Sequence, residues 1–413
     1  MKVTHQARIL SRLALSAIIL FILIFAYSCQ KDNHSPHFTV VSSYEQVKTL
    51  PLLSVQILLT LAEPQAPGMD SVLNQCKYDV NIYKLVYRTT FRGKGIEASG
   101  LVCVPRAGGS FPLLSFQNGT NAKKASAPSE NLDDQQFSLM QAMASAGFIV
   151  VIPDYIGFGA SASLMHPYYH RESNDAAITD MIRAAAEFTG SGFTSASNNG
   201  KLFLMGYSQG GWATMSALQS LENNPLSGQE IVAASCGAGG YDLRMITAYL
   251  LQQSNYPAPM YLPYYLESHI ANGLLSMSLS DVFTPEYAAK IPGLFDGSYS
   301  NDEIDQQLTG NIPAMMTGNF LAGYDTASLF IGLRNDLDLN SVSAWHTNHR
   351  ILMGAGTADL HVPPAQTDSI YHGFLDEGVP SSSILLAKYE GKDHITALLP
   401  WGVQTINWFI SLK

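Results

Sequence analysis

From residue 111 onwards, short apolar runs alternate along the chain with longer stretches that have helical spacing. The apolar runs are FPLLSFQ, FIVVIP, KLFLMG, EIVAASCG, RILMGAG and SSILLAKYE. Strands that are buried on both faces read as nearly continuous apolar runs, and their alternation with helices is typical of βαβ units. The pattern therefore predicts an α/β fold with a mostly parallel sheet and helices on both of its faces.

Two runs rich in β-branched and aromatic residues precede this alternation. They read YDVNIYKLVYRTTF and IEASGLVCVP, and the glycine-containing segment RGKG joins them. Such runs favour extended structure, and a short glycine turn between them favours direct pairing. The sequence therefore predicts an N-terminal antiparallel hairpin.

Residues 243–345 interrupt the alternation. They contain the Pro- and Tyr-rich run YPAPMYLPYYLESHIANGLL, followed by segments with mostly helical spacing. This pattern predicts a mainly helical cap, or lid, inserted over one edge of the sheet. The core is then formed by residues 76–242 and 346–413, and residues 29–75 are expected to form a tether and an N-terminal leader.

The N-terminus carries a different pattern. Lys2, Arg8 and Arg12 precede the run LALSAIILFILIFAY, which is shorter than the ~20 residues needed to span a bilayer. The small residue Ser28 and then Cys29 follow this run, and the arrangement resembles a bacterial lipobox. That resemblance implies a signal peptide over residues 1–28, a lipid on Cys29, and an exported protein anchored to a membrane on its periplasmic or cell-surface side. The alternatives are an ordinary secretory signal or an uncleaved anchor.

Composition narrows the class of protein. The 413 residues are 46% apolar and 14% charged, with a net charge of −10, which is typical of a globular protein with a large core. The chain has no basic stripe interleaved with aromatic residues, so a nucleic-acid partner is disfavoured. It also has no HExxH, P-loop or Cys/His ligand motif, so no metal or other cofactor is expected.

Three cysteines follow Cys29, namely Cys76, Cys103 and Cys236. An odd number does not indicate a disulfide framework. A single disulfide between Cys76 and Cys103 remains an alternative, and at least one of the three cysteines is expected to be a buried thiol.

The segment LMGYSQGGW contains a Gly-x-Ser-x-Gly pattern between a predicted strand and a predicted helix. A sharp strand-to-helix turn strains the residue at its tip and leaves no room for side chains at the flanking positions, Gly206 and Gly210. Ser208 would then stand at a helix N-terminus, where developing negative charge is favoured. The alternative is a glycine-rich turn with an unimportant serine.

A serine nucleophile needs a base that is held by an acid. In this strand–turn–helix context the chain order is Ser, then Asp or Glu, then His. Asp359 follows the strand RILMGAG, and His394 follows the strand SSILLAKYE, both at carboxyl ends where sites of open α/β sheets form. We therefore predict Ser208, Asp359 and His394 as a catalytic triad. Asp336 and Asp338 are the reserve candidates for the acid. Asp393 is expected to be a solvated neighbour of the base.

Other polar residues are candidates for supporting roles. His361, close to Asp359, is interpreted as a loop residue or a substrate contact. His166 and His170, in the run HPYYH, are candidates to line the pocket. The loop PDYIGFG is expected to be structural, although the hydroxyl of Tyr155 could reach the pocket.

The tetrahedral intermediate needs N–H donors directed at its oxyanion. One donor is expected from the backbone of Gln209, the residue after the serine. The other is expected from the loop NGT, where Gly119 permits an unusual turn and Thr120 supplies the N–H. An ordinary Asn–Gly turn is the alternative for this loop.

The segments GYSQGG, PDYIGFG, GTADLHVP and GKDHITA together resemble the α/β-hydrolases, and within them the secretory lipase and esterase group. The resemblance covers roughly residues 76–413. It implies hydrolysis of carboxylic esters through an acyl-enzyme on Ser208, with Asp359 and His394 as acid and base. That group usually has His in its oxyanion loop where this chain has Asn118, so substrate preference does not carry over.

The Tyr, Pro, Leu and Met residues of the insertion would form an apolar wall over Ser208. Such a wall suits a small-molecule ester with an apolar acyl or aryl group, although most of these residues are expected to pack the cap onto the core. Two other functions stay open. One is a serine peptidase of the same fold, for which Glu267 is the single carboxylate in the aromatic run, and the other is a non-catalytic ligand-binding surface lipoprotein.

Overall fold

One continuous β-sheet runs through residues 40–413, which form a single unit. The computed structural model describes residues 38–413, so the predicted signal peptide and Cys29 lie outside the described residues. The strands found in the described part are β1 Val41–Leu50, β2 Val80–Phe91, β3 Lys94–Pro105, β4 Gly109–Gln117, β5 Ile149–Pro153, β6 Ala196–Tyr207, β7 Glu230–Gly237, β8 Arg350–Gly356 and β9 Ile384–Tyr389.

The strand order in the sheet is β1-β2-β3-β5-β4-β6-β7-β8-β9. The first three pairings, β1 with β2, β2 with β3 and β3 with β5, are antiparallel. All later pairings are parallel. The predicted hairpin is confirmed as β2 and β3, with Phe91 opposite Lys94 and a turn at Arg92 and Gly93, both of which have positive φ.

Helices connect the parallel strands and cover the sheet, as predicted. The helices outside residues 243–345 are α1 Leu52–Ala62, α2 Met69–Leu73, α3 Gln135–Met143, α4 Arg171–Gly190, α5 Gln209–Asn223, α14 Pro364–Asp376 and α15 Leu398–Leu412. Central strand residues such as Leu114, Val150 and Phe203 are completely buried. Removal of this apolar surface from water is the main stabilising contribution to the sheet.

The structure differs from the expectation for residues 29–75, where the sequence pattern indicates a tether and leader. Over residues 41–75 the chain instead forms β1, which pairs with β2 along its length, and the helices α1 and α2. Helix α1 buries Val55, Leu59 and Ala62 against the core. The core fold therefore begins about 35 residues earlier than expected, because an edge strand and a short helix gain their stability from contacts with distant strands.

The stretch between β7 and β8 contains helices α6 to α13, and residues 243–345 are called the helical insertion below. Its helices are α6 Leu243–Leu251, α7 Tyr261–Ala271, α8 Leu279–Val282, α9 Pro285–Leu294, α10 Asn301–Asp305, α11 Ile312–Met315, α12 Gly318–Gly323 and α13 Ile331–Asn340. Several of these helices are short and begin with side-chain caps, such as the capping boxes at Ser278 and Ser300. In residues 38–413, no helix is both long enough and apolar enough to span a bilayer.

The three cysteines of the described chain are free and buried. The Cys76–Cys103 disulfide that the sequence left open is therefore absent from residues 38–413. Burial raises the pKa of Cys76 to about 11, and those of Cys103 and Cys236 are raised further for the same reason. These thiols act as small apolar side chains in the core.

Candidate active site

The turn from β6 into α5 holds Ser208 in a strained conformation, with φ of 60° and ψ of −124°. A Cβ atom at Gly206 would lie 2.2 Å from the carbonyl oxygen of Gly210, and a Cβ at Gly210 would lie 2.0 Å from that of Gln117. Real Cβ atoms do not approach backbone oxygens so closely, so glycine is required at both positions. The close approach lifts the serine hydroxyl to the N-terminus of α5.

Ser208, His394 and Asp359 lie in one hydrogen-bonded series. The Oγ of Ser208 is 2.8 Å from Nε2 of His394, and Nδ1 of His394 is 2.6 Å from Oδ2 of Asp359. A carboxylate accepts, so the Nδ1–H of His394 donates to Asp359 and Nε2 is left to accept from the serine hydroxyl. All three side chains are buried, with 8%, 4% and 2% of their surfaces exposed for Ser208, His394 and Asp359.

Hydrogen bonds with backbone groups hold Asp359 and His394 in place. Oδ1 of Asp359 accepts the N–H groups of His361 and Val362 at 2.9 and 2.8 Å, which fixes the carboxylate just after β8. The hydroxyl of Tyr207, the last residue of β6, donates to the carbonyl oxygen of His394 at 2.8 Å. The loop that carries His394 is therefore tied to the strand that carries Ser208.

The other candidate acids lie elsewhere. Asp336 pairs with His269 inside the helical insertion at 2.7 Å, and Asp338 forms a surface ion pair with Arg244 at 3.1 Å. Asp393 accepts the backbone N–H and hydroxyl of Thr396, and these hydrogen bonds lower the pKa of its exposed carboxyl group. Of these candidates, only Asp359 contacts the imidazole of His394 through its carboxylate within residues 38–413.

The loop after β4 lies beside the serine. A Cβ atom at Gly119 would be 3.7 Å from that of Ser208, so the loop backbone is in close contact with the turn. Thr120 lines the same cavity as Ser208. In the described part of the chain, the backbone N–H groups of Thr120 and Gln209 have no protein acceptor. Both are therefore candidates to donate to an oxygen atom bound at Ser208.

Tyr155, in a loop that is predicted to be structural, and His166, a candidate to line the pocket, support this loop and α5. The Tyr155 hydroxyl donates to the carbonyl oxygen of Asn118 at 3.1 Å, which holds the loop from behind. His166 is buried. Its Nε2 is 3.1 Å from Nε2 of Gln209, and its Nδ1 is 2.7 Å from the carbonyl oxygen of Ile156. Burial lowers the pKa of His166 to about 4, so the ring is neutral at pH 7. Its Nδ1–H donates to the carbonyl, and its Nε2 accepts from the Gln209 amide.

His170 and His361 differ in their position relative to the cavity at Ser208. His170 contacts the hydroxyl of Ser173 at 3.0 Å and does not line the cavity at Ser208. His361 does line this cavity, as the substrate-contact interpretation expects. Its Nδ1 lies 3.5 Å from the hydroxyl of Tyr261.

A series of polar contacts that the sequence did not predict links the helical insertion to the loop after β4. In this series Nδ1 of His269 faces the carboxylate of Asp336, and Nε2 contacts the carbonyl oxygen of Tyr168 at 2.9 Å. The hydroxyl of Tyr168 is in turn 2.7 Å from the hydroxyl of Thr120. Nothing in the local sequence pattern pairs these residues, which are far apart in the chain and meet only through the tertiary fold.

The cavity beside Ser208 is lined mainly by apolar and aromatic side chains of the helical insertion. None of the residues that line it carries a carboxylate, and Glu267 is not among them. In residues 38–413, no group of three or more His, Cys, Asp or Glu side chains could hold a metal ion. The reactive side chains that the structure brings together here are the hydroxyl of Ser208 and the imidazole of His394.

Comparison with solved structures places this architecture among known hydrolases. A Legionella pneumophila protein assigned as a hydrolase matches with a TM-score of 0.79 and 25% identity, over 90% of this chain and 98% of that chain. The chain has the α/β-hydrolase fold. The ligand-bound rice cell wall degrading esterase LipA of Xanthomonas oryzae matches with a TM-score of 0.75 and 22% identity, over 90% of this chain and 96% of the other. Candida antarctica lipase A in its closed state has a TM-score of 0.63 and 16% identity, over 90% and 82% of the two chains.

Sequence comparison adds a family match. Residues 126–250 of the chain, which include the serine turn, match the secretory lipase family. No curated protein matches the chain in sequence. Together with the structural similarities, the family match supports a hydrolase of the lipase and esterase type. The name of the matched family also indicates export.

Proposed function

We propose that the protein is a serine hydrolase that cleaves carboxylic esters through an acyl-enzyme on Ser208. The proposal is carried by the hydrogen-bonded series of Ser208, His394 and Asp359 at a strained turn. A serine hydroxyl is a weak nucleophile at neutral pH unless a positioned base takes its proton. The 2.8 Å contact to Nε2 of His394 supplies that base.

In the first half of the reaction, Oγ of Ser208 attacks the ester carbonyl carbon as its proton moves to Nε2 of His394. The oxyanion that forms is stabilised by the N–H groups of Gln209 and Thr120. Asp359 stays ionised and stabilises the imidazolium that forms at His394. His394 then donates its proton to the alkoxy oxygen, the C–O bond breaks, and the alcohol departs.

In the second half, water replaces the alcohol. His394 accepts a proton from the water as its oxygen attacks the acyl carbon, and the same backbone donors stabilise the second oxyanion. The proton returns to Oγ of Ser208 as the carboxylic acid is released. All protons are accounted for without a cofactor.

Ester hydrolysis is favoured over peptide hydrolysis by the lining of the cavity, which contains no carboxylate to bind a peptide amino group. A panel of p-nitrophenyl esters beside aminoacyl p-nitroanilides tests the choice. We expect turnover of the esters. Faster turnover of the anilides would favour the peptidase, and binding of these compounds without turnover of either class would favour a non-catalytic protein.

The nucleophile is tested by Ser208→Ala, which is expected to lower kcat by at least ~10³-fold while the protein stays folded. Ser220→Ala is the matched control, because Ser220 lies on the same helix about 18 Å from Ser208. A fluorophosphonate probe followed by peptide mass spectrometry should label Ser208 in the wild type. Labelling of another serine, or full activity of Ser208→Ala, would overturn the assignment.

We also propose that the protein is an exported lipoprotein anchored through Cys29 and that residues 243–345 act as a lid over the core formed by residues 76–242 and 346–413. The pattern of basic residues, apolar run and cysteine at the N-terminus supports the anchor. Cys29→Ser should abolish incorporation of an alkyne-labelled fatty acid and move activity from the membrane fraction. Unchanged labelling and fractionation would contradict the anchor.

A further inference from the structure

The loop after β4, residues 118–124, is tied to the helical insertion through one side-chain amide. Asn301, the first residue of α10, donates from Nδ2 to the carbonyl oxygen of Thr120 at 2.8 Å. Its Oδ1 accepts the N–H of Ala122 at 3.1 Å. A loop has no neighbouring strand to pair its backbone groups, and this amide pairs two of them.

Two further hydrogen bonds to the insertion hold the residues that follow in this loop. The hydroxyl of Tyr264 on α7 donates to the carbonyl oxygen of Asn121 at 3.0 Å. The N–H of Lys124 donates to the carbonyl oxygen of Gly297 at 2.9 Å. The ring of Tyr264 also stacks on that of Tyr168, with the centroids 4.3 Å apart. The insertion therefore holds the loop at several positions.

The backbone that carries Asn301 is fixed by contacts within the insertion. The hydroxyl of Ser300 accepts the N–H of Glu303 at 3.3 Å, and the carboxylate of Glu303 accepts the N–H of Ser300 at 2.7 Å. This capping box stabilises the first turn of a helix that has only five residues. The position of Asn301 is therefore set independently of the loop that its side chain contacts.

Thr120 is held at two of its polar groups. Its hydroxyl is 2.7 Å from the hydroxyl of Tyr168, and its carbonyl oxygen accepts from Asn301. Since a residue has only two soft backbone dihedrals, fixing the side chain and the carbonyl group also sets the direction of the N–H. This N–H, which has no protein acceptor within residues 38–413, is a candidate donor to the oxyanion.

We infer that Asn301 is a positioning residue for catalysis, which holds the N–H of Thr120 in place for the oxyanion before the substrate binds. A donor that is fixed in advance stabilises the developing charge without the cost of reorganisation during the reaction. This inference rests on the proposed ester hydrolysis, and it gives one segment of the helical insertion a part in the chemical step.

Two substitutions of Asn301 test this role. Asn301→Ala should lower kcat on p-nitrophenyl butyrate by about 10- to 100-fold, because a misplaced donor loses most of its effect. KM should stay within about threefold, because the oxyanion is absent from the bound ester. Asn301→Asp has the same shape and keeps the acceptor for Ala122, but it cannot donate to the carbonyl oxygen of Thr120. We expect a similar loss of kcat.

Asn311→Ala is the matched control. Asn311 also stands at the start of a short helix of the insertion, α11, where its Oδ1 accepts the N–H of Ala314 at 3.1 Å. Within the described residues, its side chain makes no hydrogen bond to the loop after β4. Both alanine variants lose hydrogen bonds and should lose some stability, but kcat of Asn311→Ala should stay within about threefold of the wild type.

A trifluoromethyl ketone inhibitor measures stabilisation of the oxyanion directly. Oγ of Ser208 forms a bond to the ketone carbon, the carbonyl oxygen becomes an oxyanion, and the serine proton passes to Nε2 of His394. The inhibition constant should therefore rise in Asn301→Ala by about the same factor as kcat/KM falls. A merely structural role would lower stability and leave this constant unchanged.

The outcomes separate the positioning role from the proposed function. Wild-type kcat and inhibition constants in the folded Asn301 variants, or an equal loss of kcat in Asn311→Ala, would overturn the positioning role and leave ester hydrolysis in place. If Asn301→Ala does not fold, Asn301→Asp decides the question. A wild type that neither cleaves esters nor binds the ketone would overturn the proposed function and the positioning role with it.

Discussion

The imidazole of His361 lies on that of His394, with the ring centroids 5.2 Å apart and the planes inclined by 21°. Burial lowers the pKa of His361, and the neighbouring His394 lowers it further. A neutral ring therefore packs on the proposed base. Together with Asp359 and Tyr207, this ring holds the imidazole in the orientation that faces Ser208.

His361→Phe keeps an aromatic face against His394, so we expect kcat to stay within about threefold of the wild type. His361→Ala removes the stacking and should lower kcat by about 3- to 10-fold, as expected for an aromatic contact worth about 0.5–1.5 kcal/mol. Steady-state kinetics on p-nitrophenyl butyrate would measure both effects. An alanine variant with wild-type kcat would show that Asp359 and Tyr207 suffice to orient the base.

Gly210→Ala should lower the free energy of unfolding by about 3 kcal/mol or more, because its Cβ would overlap the carbonyl oxygen of Gln117. Gly293→Ala is the control. It lies inside α9 with open space around the added methyl group, so we expect it to be neutral or slightly stabilising. Urea denaturation of the two variants measures the difference, and equal stabilities would contradict the packing at the serine turn.

The hydroxyl pair of Thr120 and Tyr168 should couple the helical insertion to catalysis. Thr120→Val and Tyr168→Phe each remove the same hydrogen bond, worth about 1 kcal/mol, so each is expected to lower kcat several-fold. The double variant should be no worse than the poorer single variant, because the bond is lost only once. Additive losses in this cycle would show that the two hydroxyl groups act independently.

The neutral His166 behind Gln209 predicts a dependence of stability on pH. Its pKa is about 4 in the folded protein, below the value of 6.5 for an unperturbed histidine. On acidification the unfolded chain therefore takes up this proton first. Its contribution to stability is complete above pH 6.5 and is lost as the pH falls towards 4.

His166→Gln removes this titration. The difference in unfolding free energy between the wild type and His166→Gln should therefore shift against the wild type by up to about 3 kcal/mol between pH 6.5 and pH 4. Denaturation curves of the two proteins at several pH values would measure this shift. A constant difference across that range would show that His166 is not held neutral.

The sequence carries strong local signals for the serine turn and for its partners. Ser208 was predicted because a glycine pattern falls between an apolar strand and a helix, and both features are readable within a few residues. Asp359 and His394 follow strands that are equally plain in the sequence. The structure places all three within hydrogen-bonding distance, and the predicted parallel sheet and hairpin are confirmed.

The features that the sequence did not predict depend on contacts between distant segments. Strand β1 reads VSSYEQVKTL, with polar residues at most positions, because it lies at the edge of the sheet. The pairing of His269 with Asp336 and Tyr168 joins three segments that share no motif. His166 is a candidate from the sequence to line the pocket, but it contacts Gln209 instead, because packing decides which way a side chain points from a loop.

The order of the three proposed triad residues along the chain determines which partial chains contain all of them. Ser208 precedes His394 by 186 residues, and the whole helical insertion and β8 are made between them. A polypeptide that ends between α5 and β9 therefore contains Ser208 but lacks the imidazole that we propose accepts its proton. Chains truncated in this range are therefore expected to be inert, and reactivity at Ser208 is expected to report that the final segment of the fold has docked.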